Sequence, residues 1–217
     1  MTPHYLLQAY SGKIVSVGDT FDHYRSSVVN ETIGAYLYRT EQYWAHISDF
    51  VIGNHDSRFL EHNKQFNAIE FYKNGSILAF HGHQLWFSFN KKKIKEYESK
   101  WFSFVSEDSL FWDIEEWIVK KANKYFKLDV AKAKIQAYKN LSVMDKMGQL
   151  TEEIDTIITG HTHLAFDVTI TYKDKEYRVI NLGSCLHEKE FNPVYIESID
   201  KWFVSDLHLG TAKSVLN

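Results

Sequence analysis

The chain carries two histidines in the stretch Thr159-Gly160-His161-Thr162-His163, directly after the apolar run Ile154–Ile158. The run predicts a short buried strand, and side chains at positions i and i+2 of an extended segment point to the same side. Gly160 permits a sharp turn and a close approach to a ligand. Two imidazoles pointing one way can bind a metal ion, although a His-x-His pair at a strand end can also be an ordinary surface pair. The metal interpretation therefore needs acidic partners elsewhere in the chain.

The same arrangement, an apolar run that ends in a polar cluster, occurs at four further places. These clusters are Gly18-Asp19-Thr20-Phe21-Asp22, Gly53-Asn54-His55-Asp56, His81-Gly82-His83-Gln84, and Asp206 with His208. Six of the eleven histidines lie in the five clusters. An aspartate after a glycine turn can be no more than the hydrogen-bond acceptor of that turn. Repetition of the pattern along alternating helices and strands instead predicts one site at the mouth of a sheet.

The residue types in these clusters favour particular metals. Carboxylate, imidazole and amide oxygen without sulfur suit Mn²⁺, Fe or Zn²⁺. Cys185 is the only cysteine, which excludes an internal disulfide and a cluster of thiolates. A carboxylate that bridges two ions holds them roughly 3.5–4 Å apart, which is the arrangement used to hydrolyse phosphate esters.

The composition narrows the class of protein. A chain of 217 residues suits one domain, or one domain with an inserted cap, and 44% hydrophobic residues are enough for a full core. The net charge of −3 argues against a dedicated nucleic-acid binder or a polybasic membrane binder. We find no apolar run of membrane-spanning length and no signal peptide, so we expect a cytoplasmic protein without a membrane span.

The elements that must position the clusters are short. We predict helices over 2–10, where Thr2 can cap and Pro3 suits the first position, and over 30–47. Strands are predicted over 13–17, 50–52, 154–158, 193–199 and from 202 onward. Hairpins are predicted over 66–80, with strands 66–72 and 76–80, and over 166–180. Tight turns are expected at 73–75, 173–175 and 200–201.

Residues 91–150 differ from the rest because aromatic and charged residues alternate there at helical spacing. We expect two or three helices that pack as a cap over the site, which divides the chain into a core (1–90 and 151–217) and a helical cap insertion (91–150). The alternative is a helical bundle that only completes the core. The basic run Lys91–Lys95 could meet an anionic substrate, although a solvated face explains most of it equally well.

Taken together, the clusters resemble the calcineurin-like metallophosphoesterase superfamily. Its pattern reads Asp-x-His, Gly-Asp-x-x-Asp, Gly-Asn-His-Asp/Glu, a His often followed by Gly, and Gly-His-x-His, and all five elements occur here. The stretch Asn181-Leu182-Gly183-Ser184 is also similar to the strand end that follows the last family motif. The resemblance implies an α/β (α+β) fold, a four-layer αββα metallophosphoesterase sandwich into which the helical cap is inserted.

One motif departs from the order in that family. Asp206-x-His208 comes last here, whereas the family carries this motif first. Joining Asn217 to Met1 would restore the usual spacing to Gly18-Asp19, so we expect a circularly permuted chain whose original termini are fused at the turn around Asp200. Permutation is tolerated where the original termini lie close together and the new cut is exposed. The Asp206 strand could dock in its own chain or in a neighbour's, which leaves an oligomer open.

The resemblance implies a role for each candidate residue. One ion would be held by Asp206, His208, Asp19 and His163, and the other by Asp19, Asn54, His81 and His161, with Asp19 bridging. His55 would protonate the leaving oxygen or stabilise the developing charge, and Asp22 would orient His55 by accepting its other N–H. His81 ranks as the ligand of its pair because Gly82 follows it, and His83 is left as a contact to a ligand or to the substrate.

The implied activity is that of a dinuclear phosphoesterase in which a metal-activated hydroxide attacks a phosphodiester, a phosphomonoester or a nucleotide pyrophosphate. Two divalent ions are expected, Mn²⁺ first, with Fe, Zn²⁺ or Ni²⁺ as the other candidates. The insertion is similar to that of the UDP-2,3-diacylglucosamine hydrolase branch, which cleaves a pyrophosphate. One alternative is a metal-dependent nuclease, but the net negative charge of the chain argues against it. A non-catalytic scaffold is another, and the intact His55 and ligand set argue against it. We expect a small phosphorylated substrate and no nucleic-acid partner.

Overall fold

The computed structural model describes residues 3–21, 33–56, 67–87, 130–184 and 191–209, and every structural statement below concerns these residues. The helices are α1 (Pro3–Ala9), α2 (Ile33–Trp44) and α3 (Val130–Lys146), with 3₁₀ turns at His83–Phe87 and Glu197–Ile199. The strands are β1 (Ile14–Val17), β2 (Ile47–Val51), β3 (Ala68–Ile69), β4 (Tyr72–Asn74), β5 (Ile77–Ala79), β6 (Thr156–Thr159), β7 (Phe166–Tyr172), β8 (Lys175–Asn181), β9 (Val194–Ile196) and β10 (Lys201–Val204).

The strands form two five-stranded sheets, with the orders β3-β2-β1-β10-β9 and β4-β5-β6-β8-β7. In the first sheet β3, β2, β1 and β10 are parallel, and β9 is antiparallel at one edge. In the second sheet β5, β6 and β8 are parallel, and both edge strands are antiparallel. Parallel strands end at the same edge of a sheet. The segments that follow the inner strands of each sheet therefore lie close together at that edge.

Three apolar clusters define the order of the layers. Val15, Val51 and Phe203 of the first sheet pack against Ile158 and Ile180 of the second. The outer face of the first sheet is covered by α1 and α2, and that of the second sheet by α3. The helix–sheet–sheet–helix order confirms the predicted αββα sandwich.

Strand β10 lies inside the first sheet, between β1 and β9. It pairs with β1 in the register Ile14–Trp202, Val15–Phe203 and Ser16–Val204. Phe203 is fully buried, and its ring meets the ring of Tyr72 edge-on at 5.6 Å. The segment that carries the last motif therefore docks in its own chain, beside the strand that carries Asp19.

Some element boundaries differ from the predictions. The strand expected over 66–72 is split, because Ala68–Ile69 pairs with β2 in the first sheet whereas Tyr72–Asn74 pairs with β5 in the second. The helix expected to reach residue 47 ends at Trp44, since Ile47 already pairs with Ile14. The strand expected over 193–199 ends at Ile196, where a 3₁₀ turn begins.

Helix α3 lies within the segment expected to form a cap. Its buried side chains, among them Ala137, Leu141 and Met144, pack against Phe166 and Val179 of the second sheet. This helix thus forms the outer layer of the sandwich, as in the alternative interpretation that helices of the insertion complete the core. Residues 91–129, including the basic run, lie outside the described residues, so the cap stays a prediction. Among the helices that the structure describes, none has both the length and the hydropathy that a membrane span requires.

Candidate metal centre

The five polar clusters follow the carboxyl ends of β1, β2, β5, β6 and β10, at facing edges of the two sheets. Most of the candidate side chains are buried, and those of His161 and His163 are partly exposed. The fully or almost fully buried candidates are Asp19, Asn54, His55, His81, Asp206 and His208. One candidate, Asp22, lies outside the described residues, so its expected role beside His55 stays a prediction.

The parallel pairing of β1 and β10 continues beyond the strands into the two loops. The backbone N–H of Asp206 donates to the Gly18 carbonyl at 3.0 Å, and that of His208 donates to the Asp19 carbonyl at 2.9 Å. The Tyr36 hydroxyl of α2 then donates to the carbonyl of Leu209 at 2.6 Å. These hydrogen bonds fix the Asp206 and His208 side chains in register with Asp19, although the two loops are almost 190 residues apart in the chain.

Two groups of ligand atoms lie close enough to share an ion. Nitrogen and oxygen atoms of His163, Asp206 and His208 form one group, and those of Asp19, His81 and Asp206 form the other, each within 4.8 Å. His163 Nε2 lies 3.0 Å from Asp206 Oδ1, and His81 Nε2 lies 3.2 Å from Asp19 Oδ2. Buried carboxylates and imidazoles at these separations fit divalent ions such as Mn²⁺, Fe²⁺ or Zn²⁺. Asp206, rather than Asp19, is common to both groups.

The two remaining ligand candidates adjoin these groups. Asn54 Oδ1 lies 3.1 Å from His81 Nε2. The His161 ring meets the His81 ring at 5.0 Å, and the His161 backbone N–H donates to Asp206 Oδ2 at 3.2 Å. The fold thus brings all seven predicted ligands to one place.

The backbone is strained at five of these residues. Asp19, His161, His163, Asp206 and His208 have φ angles of 50°, 68°, 55°, 53° and 45°. Side chains other than glycine disfavour this left-handed region, at a cost of about 1–3 kcal/mol per residue. The surrounding fold must hold the five residues in place, and strain of this kind concentrates at functional sites.

Two glycines allow the loops to approach so closely. A Cβ atom at Gly53 would overlap the carboxylate and backbone nitrogen of Asp19. A Cβ atom at Gly160 would overlap the Ser205 hydroxyl and lie 2.7 Å from Asp206 Oδ2. Glycine is therefore required at both positions by the space available, independently of its backbone freedom.

The electrostatics of the site favour a cation. Burial would raise the pKa of Asp19, but the charges of His81, His55 and His208 outweigh it and lower the pKa well below the usual value. Burial would lower the pKa of His81, but the carboxylates of Asp19 and Asp206 raise it to about 9. Burial and the charge of His81 together lower the pKa of His161 to about 3. The carboxylates of Asp19 and Asp206 are thus ionised, which favours a cation beside them.

His55 lies at the site without belonging to either ligand group. Its backbone N–H donates to Asp19 Oδ1 at 2.9 Å, and its Nε2 atom is 3.8 Å from Asp19 Oδ2. Its ring meets the His208 ring edge-on at 5.2 Å. A histidine so placed can exchange a proton with a molecule bound between the clusters.

Asp56 has a structural role that the sequence analysis missed. Its carboxylate accepts the backbone N–H of Phe21 at 2.7 Å and that of Gly53 at 2.8 Å, which ties the β1 loop to the β2 loop. Burial and the charge of Asp19 raise its pKa to about 7. The sequence feature that could have revealed this role is an acidic residue directly after His55, in the turn at the end of a strand.

His83, whose role was left open, is buried beside the site. Its ring lies 5.5 Å from the His81 ring and 6.5 Å from the His161 ring. Burial and the charges of these two neighbours lower its pKa well below the usual value. His83 belongs to neither ligand group, so it borders the centre as a neutral side chain.

Comparison with known proteins identifies the class. The calcineurin-like phosphoesterase family matches residues 13–165, well over half of the chain. The chain belongs to this family and is a metal-dependent hydrolase of phosphate esters; members typically use two divalent ions. The match begins at β1 and ends after His163, so Asp206 and His208 lie beyond it. A search of curated proteins found no match.

Proposed function

We propose that the protein hydrolyses a small phosphodiester, phosphomonoester or nucleotide pyrophosphate with two divalent ions, of which Mn²⁺ is the first candidate. The observation that carries this proposal is the meeting of Asp206 and His208 with Asp19, His81 and His163 at the facing ends of both sheets. A binding module without chemistry has no need for buried, strained ligands together with a histidine placed as His55 is.

The proposed ligands follow the family pattern. Asp206, His208, Asp19 and His163 would hold one ion, and Asp19, Asn54, His81 and His161 would hold the other. The contacts of His163 with Asp206 and of His81 with Asp19 support the two sets. Asp19 as the bridging ligand is supported by its Oδ2 atom facing His81 while the charge of His208 also acts on it. The sharing of Asp206 between both geometric groups makes that carboxylate the competing bridge.

The other roles in the proposed hydrolysis fall to the ions and to residues outside the ligand sets. When bound, the two ions lower the pKa of a water molecule and neutralise the oxygens of the phosphate. His55, beside Asp19 and His208, protonates the leaving oxygen. Asp22 orients His55. Asp56 keeps the β1 and β2 loops together, so that Asp19 and Asn54 stay at a fixed separation.

We further propose that the chain is a circular permutant of its family. The proposal is supported by the parallel pairing of β10 with β1 and by the family match, which excludes the Asp206 motif. The exposed turn at Asp200, which joins β9 to β10, is the proposed position of the fused termini. A pyrophosphate substrate, as in the UDP-2,3-diacylglucosamine hydrolase branch, rests on residues 91–150, so it is the least supported substrate class.

The test combines metal analysis with a substrate panel. Chelated protein is reconstituted with Mn²⁺, Fe²⁺, Zn²⁺ or Ni²⁺ and assayed on bis-p-nitrophenyl phosphate, p-nitrophenyl phosphate, nucleotide pyrophosphates and single- and double-stranded DNA. We expect two ions per chain and turnover of at least one small substrate. Activity confined to DNA would replace the proposal with a nuclease, and two bound ions without any turnover would favour the scaffold.

A further inference from the structure

Asn181, at the end of β8, directs the NH₂ group of its side-chain amide to the turn that carries His161 and His163. The side chain is buried, and Nδ2 lies 2.8 Å from the Gly160 carbonyl and 3.0 Å from Thr162 Oγ1. The Oδ1 atom accepts the backbone N–H of Gly183 at 3.0 Å. Because both N–H bonds and the oxygen are engaged, the orientation of the amide is fixed.

The turn needs such a support. His161 and His163 both adopt the left-handed backbone conformation, which unsupported side chains other than glycine avoid. On one side the His161 N–H donates to Asp206 Oδ2, and Asp206 is itself a proposed ligand. On the other side Asn181 holds the Gly160 carbonyl, which also accepts the Thr162 N–H at 2.8 Å.

We propose that Asn181 is a positioning residue that holds the His161–His163 turn in the conformation in which both imidazoles can bind ions. This inference rests on the proposed function. Backbone pairing with β8 does not by itself supply the same support. The Thr159–Asn181 pairing of β6 with β8 and the Leu182 N–H bond to the Thr159 carbonyl both end one residue before Gly160. On the β8 side the Asn181 side chain extends the contact into the turn, and on the β5 side the Gly160 N–H donates to the His81 carbonyl at 2.9 Å.

Asn140 of α3 provides a matched control. It is another buried asparagine, and its Nδ2 atom lies 3.4 Å from Thr159 Oγ1, which Asn181 also approaches at 3.2 Å. Its side-chain hydrogen bonds are with Gln136 and Thr159 rather than with Gly160 or Thr162. Loss of the Asn140 amide should therefore weaken the same region of the fold without releasing the turn.

The experiment compares Asn181→Leu with Asn140→Leu, since leucine has nearly the shape of asparagine and adds no charge. Hydrogen exchange of the chelated proteins is measured over residues 160–163, and Mn²⁺ affinity is measured by calorimetry. We expect faster exchange in the turn and a fall of about 10–100-fold in the affinity for at least one ion in Asn181→Leu only. Asn181→Ser, whose hydroxyl is too short to reach the Gly160 carbonyl, is measured alongside in case the leucine variant does not fold.

Two results would overturn the inference. One is exchange in the turn that is unchanged in every folded Asn181 variant. The other is an equal fall in Mn²⁺ affinity in the Asn181 and Asn140 variants, in proportion to their unfolding temperatures, which would reduce Asn181 to a general structural role. Because exchange is measured without metal or substrate, it decides the positioning role even if the wild-type protein proves to bind no ion. That last result would count against the proposed function alone.

Discussion

At the scale of single residues, Asp206 is where the contacts of the centre converge. Its two carboxylate oxygens meet His163 Nε2 and the backbone N–H of His161, and the Ser205 hydroxyl contacts one of them. Burial would raise the pKa of Asp206, but the hydrogen bond and charge of His163 lower it. A fully buried anion costs free energy unless it is neutralised. Asp206 and Asp19 therefore form a site that favours a bound cation. A substitution at His55 can show whether that residue takes part in binding the cation or only in turnover.

Replacing His55 with alanine should separate metal binding from turnover. We expect near-normal metal content, because the His55 side chain belongs to neither ligand group, and a fall in turnover of about 10²–10⁴-fold through loss of proton transfer. Metal analysis and steady-state kinetics on the same preparation measure both. His46→Ala is the control, since His46 contacts Ser11 just before β2, at the opposite end of that strand from His55. A parallel loss of ions and turnover in the His55 variant would make His55 a ligand instead.

The proton on His81 gives a prediction for pH. With its pKa raised to about 9, His81 is protonated in the metal-free protein at pH 7 and must lose that proton to bind an ion. We expect the release of about one proton per chain and an affinity for Mn²⁺ that rises between pH 7 and pH 9. Calorimetry at pH 7 in buffers with different ionisation enthalpies measures the release. An identical binding enthalpy in every buffer would contradict the proton on His81.

The same shift affects stability without metal. The folded metal-free protein holds this proton more tightly than the unfolded chain does, since the pKa is raised from 6.5 to about 9. The contribution of His81 to the free energy of unfolding is therefore fully present below pH 6.5 and is lost as the pH rises through about 9. Bound ions should remove this dependence.

At the scale of elements, the loops after β6 and β10 fit against each other without space for another atom. Gly160→Ala would place a methyl group on Ser205 and Asp206, so we expect loss of at least one ion and destabilisation of about 1–3 kcal/mol. Gly34→Ala is the matched control, because no atom lies within 4 Å of a Cβ at this exposed position of α2. The control should be neutral or stabilising by up to about 1 kcal/mol. Equal effects in thermal unfolding and metal content would show that the loops are not closely fitted.

Local sequence patterns predicted these elements well where each strand is followed by its own polar cluster. They could not tell to which sheet a short strand belongs, so the segment 66–72 was predicted as one strand although it crosses between the sheets. The role of Asp56 was missed because its bond to Phe21 spans 35 residues. For α3, helical spacing predicted a helix, but it could not show that the buried face meets the second sheet.

At the scale of the whole molecule, the order of the motifs along the chain is independent of their arrangement in space. Strands β1 and β10 are neighbours in the sheet, although one lies near the beginning of the sequence and the other near its end. The turn that precedes β10 is exposed, and the Asp200 carboxylate forms a surface ion pair with Lys13 and accepts the Tyr195 hydroxyl at 2.8 Å. Exposed ion pairs of this kind contribute little to stability, so the turn is a suitable place to open the chain.

A rearranged gene tests the permutation directly. A chain that starts at Lys201, continues from Asn217 into Met1 and ends at Asp200 should fold, bind the same number of ions and keep the wild-type activity, because every strand keeps its neighbours. Circular dichroism, metal analysis and kinetics measure the three properties. The control is the pair of fragments 1–200 and 201–217, produced separately and mixed, which lacks the covalent join. If the rearranged chain folds but binds no ions, the Asp206 motif does not occupy the first position of the family, and the proposed ligand set fails with it.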